Sequence, residues 1–367
     1  MLQPACVYVS SAVSQTSALC CCIIILSLFF KKSNLNKSQN LYGMEEIFKS
    51  LSEEAREFQY GICIPEINVN DITPLKFYRS YVSANQPVLI RNACTHWPAF
   101  AKWNKDYFCT KLGEKKVIVA ITPNGYADAV AFDSKTSREY FVMPEERSMT
   151  FAEFWLALDQ PDKHPGVYYL QRQNSNLIEE LPELLQDIDR HIPWATEAFG
   201  STPDAVNFWA GDGRAVTSMH KDPYENIYCV ISGHKDFILH PPTDRPWIPY
   251  KRYPPAAYLE VSHGNFVINP QNLEPLIEKD SEHKLEDVPW ICVDPLAPDF
   301  KRYSSYRNAS PLQVRVNAGD ALFLPSLWYH HVRQSHGCIA VNYWYDMQYD
   351  IKYVYHKFLE ALVSSVK

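Results

Sequence analysis

The chain has 367 residues, 46% hydrophobic and 14% aromatic, enough to bury a sizeable core and far from the composition of a disordered chain. Its formal net charge is −7, so there is no strong basic field to grip nucleic acid by its phosphates, and no direct nucleic-acid partner is expected. Its 10 cysteines include no Cys-x-x-Cys pair, which excludes zinc-finger spacing and a dense disulfide framework and suits reduced thiols.

Residues 1–43 read as an N-terminal extension outside the fold. Their one strongly apolar run, ALCCCIIILSLFFKK from Ala18 to Lys32, is shorter than the roughly 20 residues that span a bilayer. No basic residue precedes it, as one would in a signal peptide, so a secretory or membrane role is the alternative there and a cytoplasmic or nuclear protein the main expectation. From Met44 the spacing of Ile47, Leu51, Ala55 and Phe58 predicts an amphipathic helix. Residues 44–164 are expected to form a region of helices and strands packing on a core at 165–346, with a C-terminal helix at 347–367.

Within the first region, Pro74 to Tyr81 reads as a helical turn and Gln86 to Ala93 as a strand. KVIVAITP, Lys116 to Pro123, is a second strand, closed by a Pro-Asn-Gly turn. MTFAEFWLALDQ, Met149 to Gln160, is predicted helical, with Phe151, Phe154, Trp155 and Leu158 on one face. GVYYLQRQ, Gly166 to Gln173, alternates as a strand does, and Leu181 to Ile188 reads as a short helix.

From Ala205 the texture becomes β-rich: AVNFWA, AVTSMH, ENIYCVIS, KDFILHP, NFVI, LQVRVNA, DALFLP, WYHHVRQ and CIAVNYWY. Short strands with turn signals predict a mainly β fold with flanking helices, and a double-sheet jelly roll suits the strand count. Tyr349 to Val366 closes the chain as a helix whose stripe Ile351, Val354, Tyr355, Phe358, Leu359 and Leu362 either packs on its own domain or meets a second subunit.

The signatures of several common enzyme classes are missing. There is no His-Glu-x-x-His, no Gly-x-Ser-x-Gly elbow and no P-loop, and Gly211-Asp212-Gly213 is followed by Val216 where a dinucleotide fingerprint needs glycine. What remains is a tripeptide, His-Lys-Asp, that occurs at both 220–222 and 234–236. On a strand, residues i and i+2 share a face, so a His-x-Asp pair can offer a nitrogen and an oxygen to one metal. A second histidine from a neighbouring strand completes a two-His, one-carboxylate face that suits non-haem Fe(II) and leaves positions open for a chelating 2-oxo acid and O₂.

Context sorts the two runs. With His220 and Asp222 as the pair, LPSLWYHHVRQ supplies His330, Thr217 offers a hydroxyl, and Lys235 provides the cation that a buried diacid needs at its far carboxylate. With His234 and Asp236 the corresponding positions are Ile231 and Pro249, which bind no carboxylate. One metal site is therefore expected, with His234 and Asp236 at a turn and strand edge.

Thr217-x-x-His220-x-Asp222, Asn226, Lys235 and Pro325-x-x-Trp328-Tyr329-His330 together resemble the Jumonji-C (JmjC) family of Fe(II)- and 2-oxoglutarate-dependent oxygenases. The likeness runs from about Met44 to the C-terminus and extends to DAVNFW, HPPTDRP and GCIAVNYWYDM, which look like the branch described as combining peptidase and (3S)-lysyl hydroxylase activities. The resemblance implies a double-stranded β-helix core of the jelly-roll, cupin-like kind. It implies iron held by His220, Asp222 and His330, and 2-oxoglutarate held by Lys235, Thr217 and Tyr169, with Asn226 and Asn342 near its other end. It also implies O₂ as cosubstrate, lysine-containing proteins as substrates, developmentally regulated GTP-binding proteins among them, and a homodimer through the C-terminal helix.

The expected activity is thus 2-oxoglutarate-dependent dioxygenase chemistry, a lysyl 3-hydroxylation. Peptidase action on histone tails, histone lysine demethylation and a catalytically dead binding module are the alternatives. A lysine substrate predicts an acidic entrance, for which Asp128 in PNGYADAV is a candidate. His331 is expected to face away from His330, since adjacent strand residues point to opposite sides. Trp209, Tyr224, Tyr228 and Trp344 read as core or pocket wall.

Overall fold

In the computed structural model the described residues are 37–270 and 286–366, with side chains described from residue 43. The apolar run Ala18 to Lys32 lies outside them, and among the described residues no helix is long and apolar enough to cross a membrane. Contacts divide the chain into a small unit, Met1–Lys49 with Val366, and a large one, Ser50–Ser365 with Lys367. The first helix spans Lys37–Ala55, so the expected boundary at 43 falls inside it. Nothing between Lys37 and Met44 stops a helix: the segment has no proline, and its single glycine costs only about 1 kcal/mol.

Eight antiparallel strands form the centre of the large unit: β1 (Ala205–Gly211), β2 (Val216–His220), β3 (Tyr224–Ser232), β4 (His234–His240), β5 (Leu312–Asn317), β6 (Ala321–Leu324), β7 (Tyr329–Gln334) and β8 (Cys338–Asp346). They divide into two sheets in the orders β6-β3-β8-β1 and β5-β4-β7-β2, the arrangement of a jelly roll. The first sheet grows to nine strands by adding Val88–Arg91 and Glu66–Asn68 at one side and Val167–Leu170, Lys116–Thr122 and Glu145–Thr150 at the other. The second grows to five by adding Tyr126–Ala127 beside β2.

Side-chain alternation explains why both faces of the larger sheet are covered. Along β3, Ile227, Cys229 and Ile231 join a core with the helical residues Phe108, Phe151 and Trp155. Tyr228 and Val230 point the other way, into a core shared with Phe237 and Val332 of the second sheet. Burying one such apolar side chain contributes about 1.5–3 kcal/mol, so the two patterns together fix the register. Tyr168 and Tyr169 show the same division, the first in the helical core and the second between the sheets.

Several boundaries differ from the sequence expectation. Met149 lies in the strand Glu145–Thr150, and the helix starts at Phe151. Thr150 caps it through a capping box: its hydroxyl accepts from Glu153 N at 3.1 Å and the Glu153 carboxylate accepts from Thr150 N at 2.7 Å. Leu181 to Ile188 holds a 3₁₀ turn, Pro182–Asp187. Between β4 and β5 the chain inserts Tyr250–Tyr253, Pro255–Ser262, Asn265–Asn269 and Val288–Ile291, of which only the third was expected. Pro255–Ser262 pairs in parallel with Arg138–Met143, a partner far away in sequence, so no local pattern announced it. The six described cysteines are unpaired, as expected of reduced thiols.

Candidate metal centre and cosubstrate pocket

His220 closes β2, and an irregularity in that strand decides what it faces. Val216 and Thr217 pair with Arg333 and Val332 of β7, but His220 pairs with His330, which requires one extra residue on β2. A regular ladder would set Met219 opposite His330. The bulge re-aims the strand so that two imidazoles meet, 4.2 Å between ring centroids.

Asp222 is not on that strand, as the i, i+2 argument assumed; β2 ends at His220. Pro223 follows it and disfavours a helical turn at Asp222, whose carboxylate still reaches the histidines. Asp222 Oδ2 lies 3.5 Å from His220 Nε2 and 3.6 Å from His330 Nε2. One ligand-capable atom from each of the three lies within 4.8 Å of the others.

Both rings are oriented from behind. His220 Nδ1 donates to Ser218 O at 2.8 Å, and His330 Nδ1 to Trp328 O at 3.1 Å. A carbonyl accepts only from N–H, so each ring carries a proton on Nδ1 and aims Nε2 toward Asp222, the nitrogen a neutral imidazole offers to a metal. Burial alone would raise the Asp222 carboxyl, but His220 and His330 hold it down at about 2. Burial, then the charge of His220, lowers His330 to about 4, whereas Asp222 more than offsets burial at His220 and raises it. Two imidazoles and an ionised carboxylate on one face are a donor set that non-haem Fe(II) fits, with open positions left over.

A narrow cavity opens beside these three, walled by Thr217, Asn226, Trp209, Tyr228, Phe237 and Trp344 among others. Thr217 and Asn226 thus share one cavity with His220, Asp222 and His330. Asn342 also lines the cavity, but its amide is engaged by protein: its oxygen accepts from Trp209 Nε1 at 2.8 Å and Asn207 Nδ2 at 3.3 Å, and its nitrogen donates to Asn226 Oδ1 at 3.1 Å. Lys235 and Tyr169 are not among the residues that line this cavity. Lys235 is only 1% exposed, and its Nζ donates to Tyr169 Oη at 2.8 Å and to Gln334 Oε1 at 2.7 Å. It also sits 5.2–5.8 Å from the ring centroids of Tyr169, Trp209 and Tyr228. No carboxylate among the described residues pairs with it, so a buried cation here is oriented without being neutralised. That is the observation a ligand's far carboxylate fits.

Gln334 escaped the sequence reading, although the signal was present. His330, Val332 and Gln334 alternate along β7 and share one face. His331 faces away, as expected; it is 1% exposed, its Nε2 lies 3.9 Å from Asp294 Oδ1, and neither ring nitrogen has a hydrogen-bond partner. Among the described residues the second His-Lys-Asp run is in no group of three metal-capable side chains; His234 opens β4 directly after the Ser232-Gly233 turn, while Asp236 lies further along it. β4 lies between β5 and β7, so it is an inner strand, and Asp236 forms a two-pronged pair with Arg315 at 2.7 and 2.9 Å.

Residues 74–351 match the family described as the Cupin-like domain. The chain is 50% identical over 311 residues to the human bifunctional peptidase and (3S)-lysyl hydroxylase JMJD7, covering 85% of this chain and 93% of that protein. It is 39% identical over 343 residues to JmjC domain-containing protein E of Dictyostelium discoideum, covering 88% and 95%. It is also 39% identical over 332 residues to the lysine-specific demethylase JMJ32 of Arabidopsis thaliana, covering 87% and 92%.

Proposed function

The chain belongs to the cupin-like JmjC family, and on that premise we propose that it is an Fe(II)- and 2-oxoglutarate-dependent hydroxylase that oxidises C3 of lysyl residues in proteins. The observation that carries this reading is the convergence of His220, Asp222 and His330, together with a buried lysine that pairs with no carboxylate among the described residues. Bound iron and 2-oxoglutarate would supply, with O₂, the oxidising power to hydroxylate an unactivated C–H bond, releasing succinate and CO₂.

The chain's own residues do the rest. His220 and His330 present Nε2 because Ser218 and Trp328 hold Nδ1. Asp222 stays ionised and supplies the negative ligand. Lys235, Tyr169 and Thr217 receive the far carboxylate of 2-oxoglutarate, and Asn226 meets its other end. Trp209, Tyr228, Phe237 and Trp344 keep bulk water from the cavity, which limits stray oxidation.

The substrates in this reading are lysine-containing proteins, developmentally regulated GTP-binding proteins among them, met in the cytoplasm or nucleus. The C-terminal helix Ile351–Val366 exposes Ile351, Val354, Tyr355 and Phe358, which supports a homodimer through that helix. Peptide-bond hydrolysis would have to use the same three residues, so the same variants test it.

A peptide whose lysine carries deuterium at C3 tests the regiochemistry. Gain of one oxygen with loss of one deuterium supports C3 oxidation. Gain of oxygen with all deuterium retained places the oxidation elsewhere, and loss of a methyl group from a methyl-lysine peptide favours demethylation.

A further inference from the structure

Tyr126 and Ala127 run parallel to β2, opposite Val216 and Thr217. The next residue, Asp128, leaves that ladder in the left-handed conformation, φ 51°. Aspartate is one of the few side chains that tolerate it, and strain of this kind persists where surrounding contacts impose it. Here Ser218 Oγ donates to Asp128 O at 2.6 Å. The same hydroxyl accepts from Trp290 Nε1 at 3.2 Å, and the Trp290 indole lies parallel to the His220 ring, 6.3 Å between centroids. The backbone of Asp128 is therefore pinned to the residue two positions before His220.

Its side chain is left without a partner. The Asp128 carboxylate is half-buried and makes no hydrogen bond or ion pair with any described residue. Burial pushes the carboxyl up to about 6, while His220 pulls it back. It is not one of the three groups that converge within 4.8 Å, so it is spare to the metal set yet close enough to feel His220.

Oxidation at C3 makes a demand that demethylation does not. A demethylase must bring the carbon on the lysine nitrogen to the oxidant. A C3 hydroxylase must hold that nitrogen, four bonds further along the side chain, away from the metal set and still satisfy its charge as it leaves water. A separate carboxylate outside the metal set, on a backbone pinned two residues before His220, meets both needs.

We propose that Asp128 binds the side-chain ammonium of the target lysine and thereby sets which carbon lies over His220, Asp222 and His330. The assignment rests on the lysyl hydroxylase reading above. It makes Asp128 a specificity residue for substrate, distinct from Lys235, which serves the cosubstrate.

The test is a ratio. Full-length protein loaded with Fe(II) and 2-oxoglutarate is given two matched peptides, one with lysine and one with norleucine at the target position, and oxygen gain is followed by mass. Wild type is expected to prefer lysine by about 10- to 100-fold in kcat/KM, the range of a charge-assisted hydrogen bond. Asp128→Asn keeps the shape and the tolerance for a left-handed backbone, and is expected to cut that preference to within about threefold, mainly through KM. Thermal melting checks its fold, and Asp128→Ser is the second variant. If wild type oxidises lysine and Asp128→Asn discriminates equally well, the assignment of Asp128 is wrong while the lysyl reading stands. If wild type consumes 2-oxoglutarate but oxidises no lysine peptide, the lysyl reading fails and the assignment falls with it.

Discussion

Gln334 stands directly opposite Lys235 across β4 and β7, with 2.7 Å between the amide oxygen and Nζ. The Gln334 amide nitrogen donates to Asp212 O at 2.9 Å, which fixes the oxygen as the end that faces the lysine. Lys235 is thus aimed by two oxygens, those of Gln334 and Tyr169, and pairs with no carboxylate among the described residues. Lys235→Met preserves the stem and removes the charge. It should raise the KM for 2-oxoglutarate by about 10- to 100-fold, measured from decarboxylation rates, with little change in metal affinity. Gln334→Leu should give a smaller rise. An unchanged KM in Lys235→Met would separate this lysine from the cosubstrate.

Glu225 ties the two halves of the candidate metal site together. Its buried carboxylate accepts from Ser326 N at 3.1 Å and Ser326 Oγ at 2.9 Å, and Lys352 of the C-terminal helix lies 3.3 Å away. Leu327 N donates to Asp222 O at 3.0 Å, so the segment leading to His330 is fastened to the segment after His220. Glu225→Ala strands a partly buried lysine and a buried backbone N–H. It should destabilise the protein by about 3 kcal/mol in urea unfolding and weaken metal binding at the same time. Loss of stability without any change in metal affinity would show that the fastening does not position the ligands.

Metal binding should displace a proton. Asp222 raises His220 above the ordinary imidazole value while burial and the charge of His220 lower His330 to about 4, so of the two rings His220 is the one whose proton competes with metal. Affinity should therefore climb with pH and level off once His220 is neutral. Calorimetric titration in two buffers of different ionisation heat reads the released proton directly. Identical heats in the two buffers would contradict the assignment.

His331 gives a pH dependence of stability with a definite sign. Burial lowers it to about 4, from an ordinary value of 6.5. Between those values the unfolded chain binds more protons than the folded one, so this contribution is complete above pH 6.5 and is lost as pH falls toward 4. The full span amounts to about 3 kcal/mol. His331→Phe, beside a cavity of about 130 Å³ that can take the larger ring, should flatten the acid limb of metal-free unfolding by up to that amount. His220, shifted the other way, offsets part of the wild-type loss. An acid limb as steep in the variant as in wild type would contradict the assignment.

The convergence of His220, Asp222 and His330 was legible because two histidines and an aspartate at that spacing suit one chemistry, and Lys235 favoured the first His-Lys-Asp run over the second. The strands β1, β3, β6 and β8 were legible because both faces of the larger sheet are buried and their runs are densely apolar, and β5 because its buried and exposed positions alternate. The bulge before His220 was not, since it depends on how β2 pairs with β7 and leaves no mark in the local pattern. The helix start at Phe151 could have been read from Thr150 and Glu153, whose spacing is that of a capping box. The inserted strands Pro255–Ser262 and Arg138–Met143 find each other only in three dimensions. Gln334 is polar on a face otherwise assigned to metal and core, and its meaning appears only once Lys235 is seen opposite it.

The most direct test of the account is the intact mass of lysine peptides incubated with the full-length protein, Fe(II), 2-oxoglutarate and ascorbate, with His220→Ala alongside. The account predicts a gain of one oxygen atom that requires 2-oxoglutarate and disappears in the variant. Shortened peptides formed without 2-oxoglutarate, or oxygen gain that persists in His220→Ala, would contradict it.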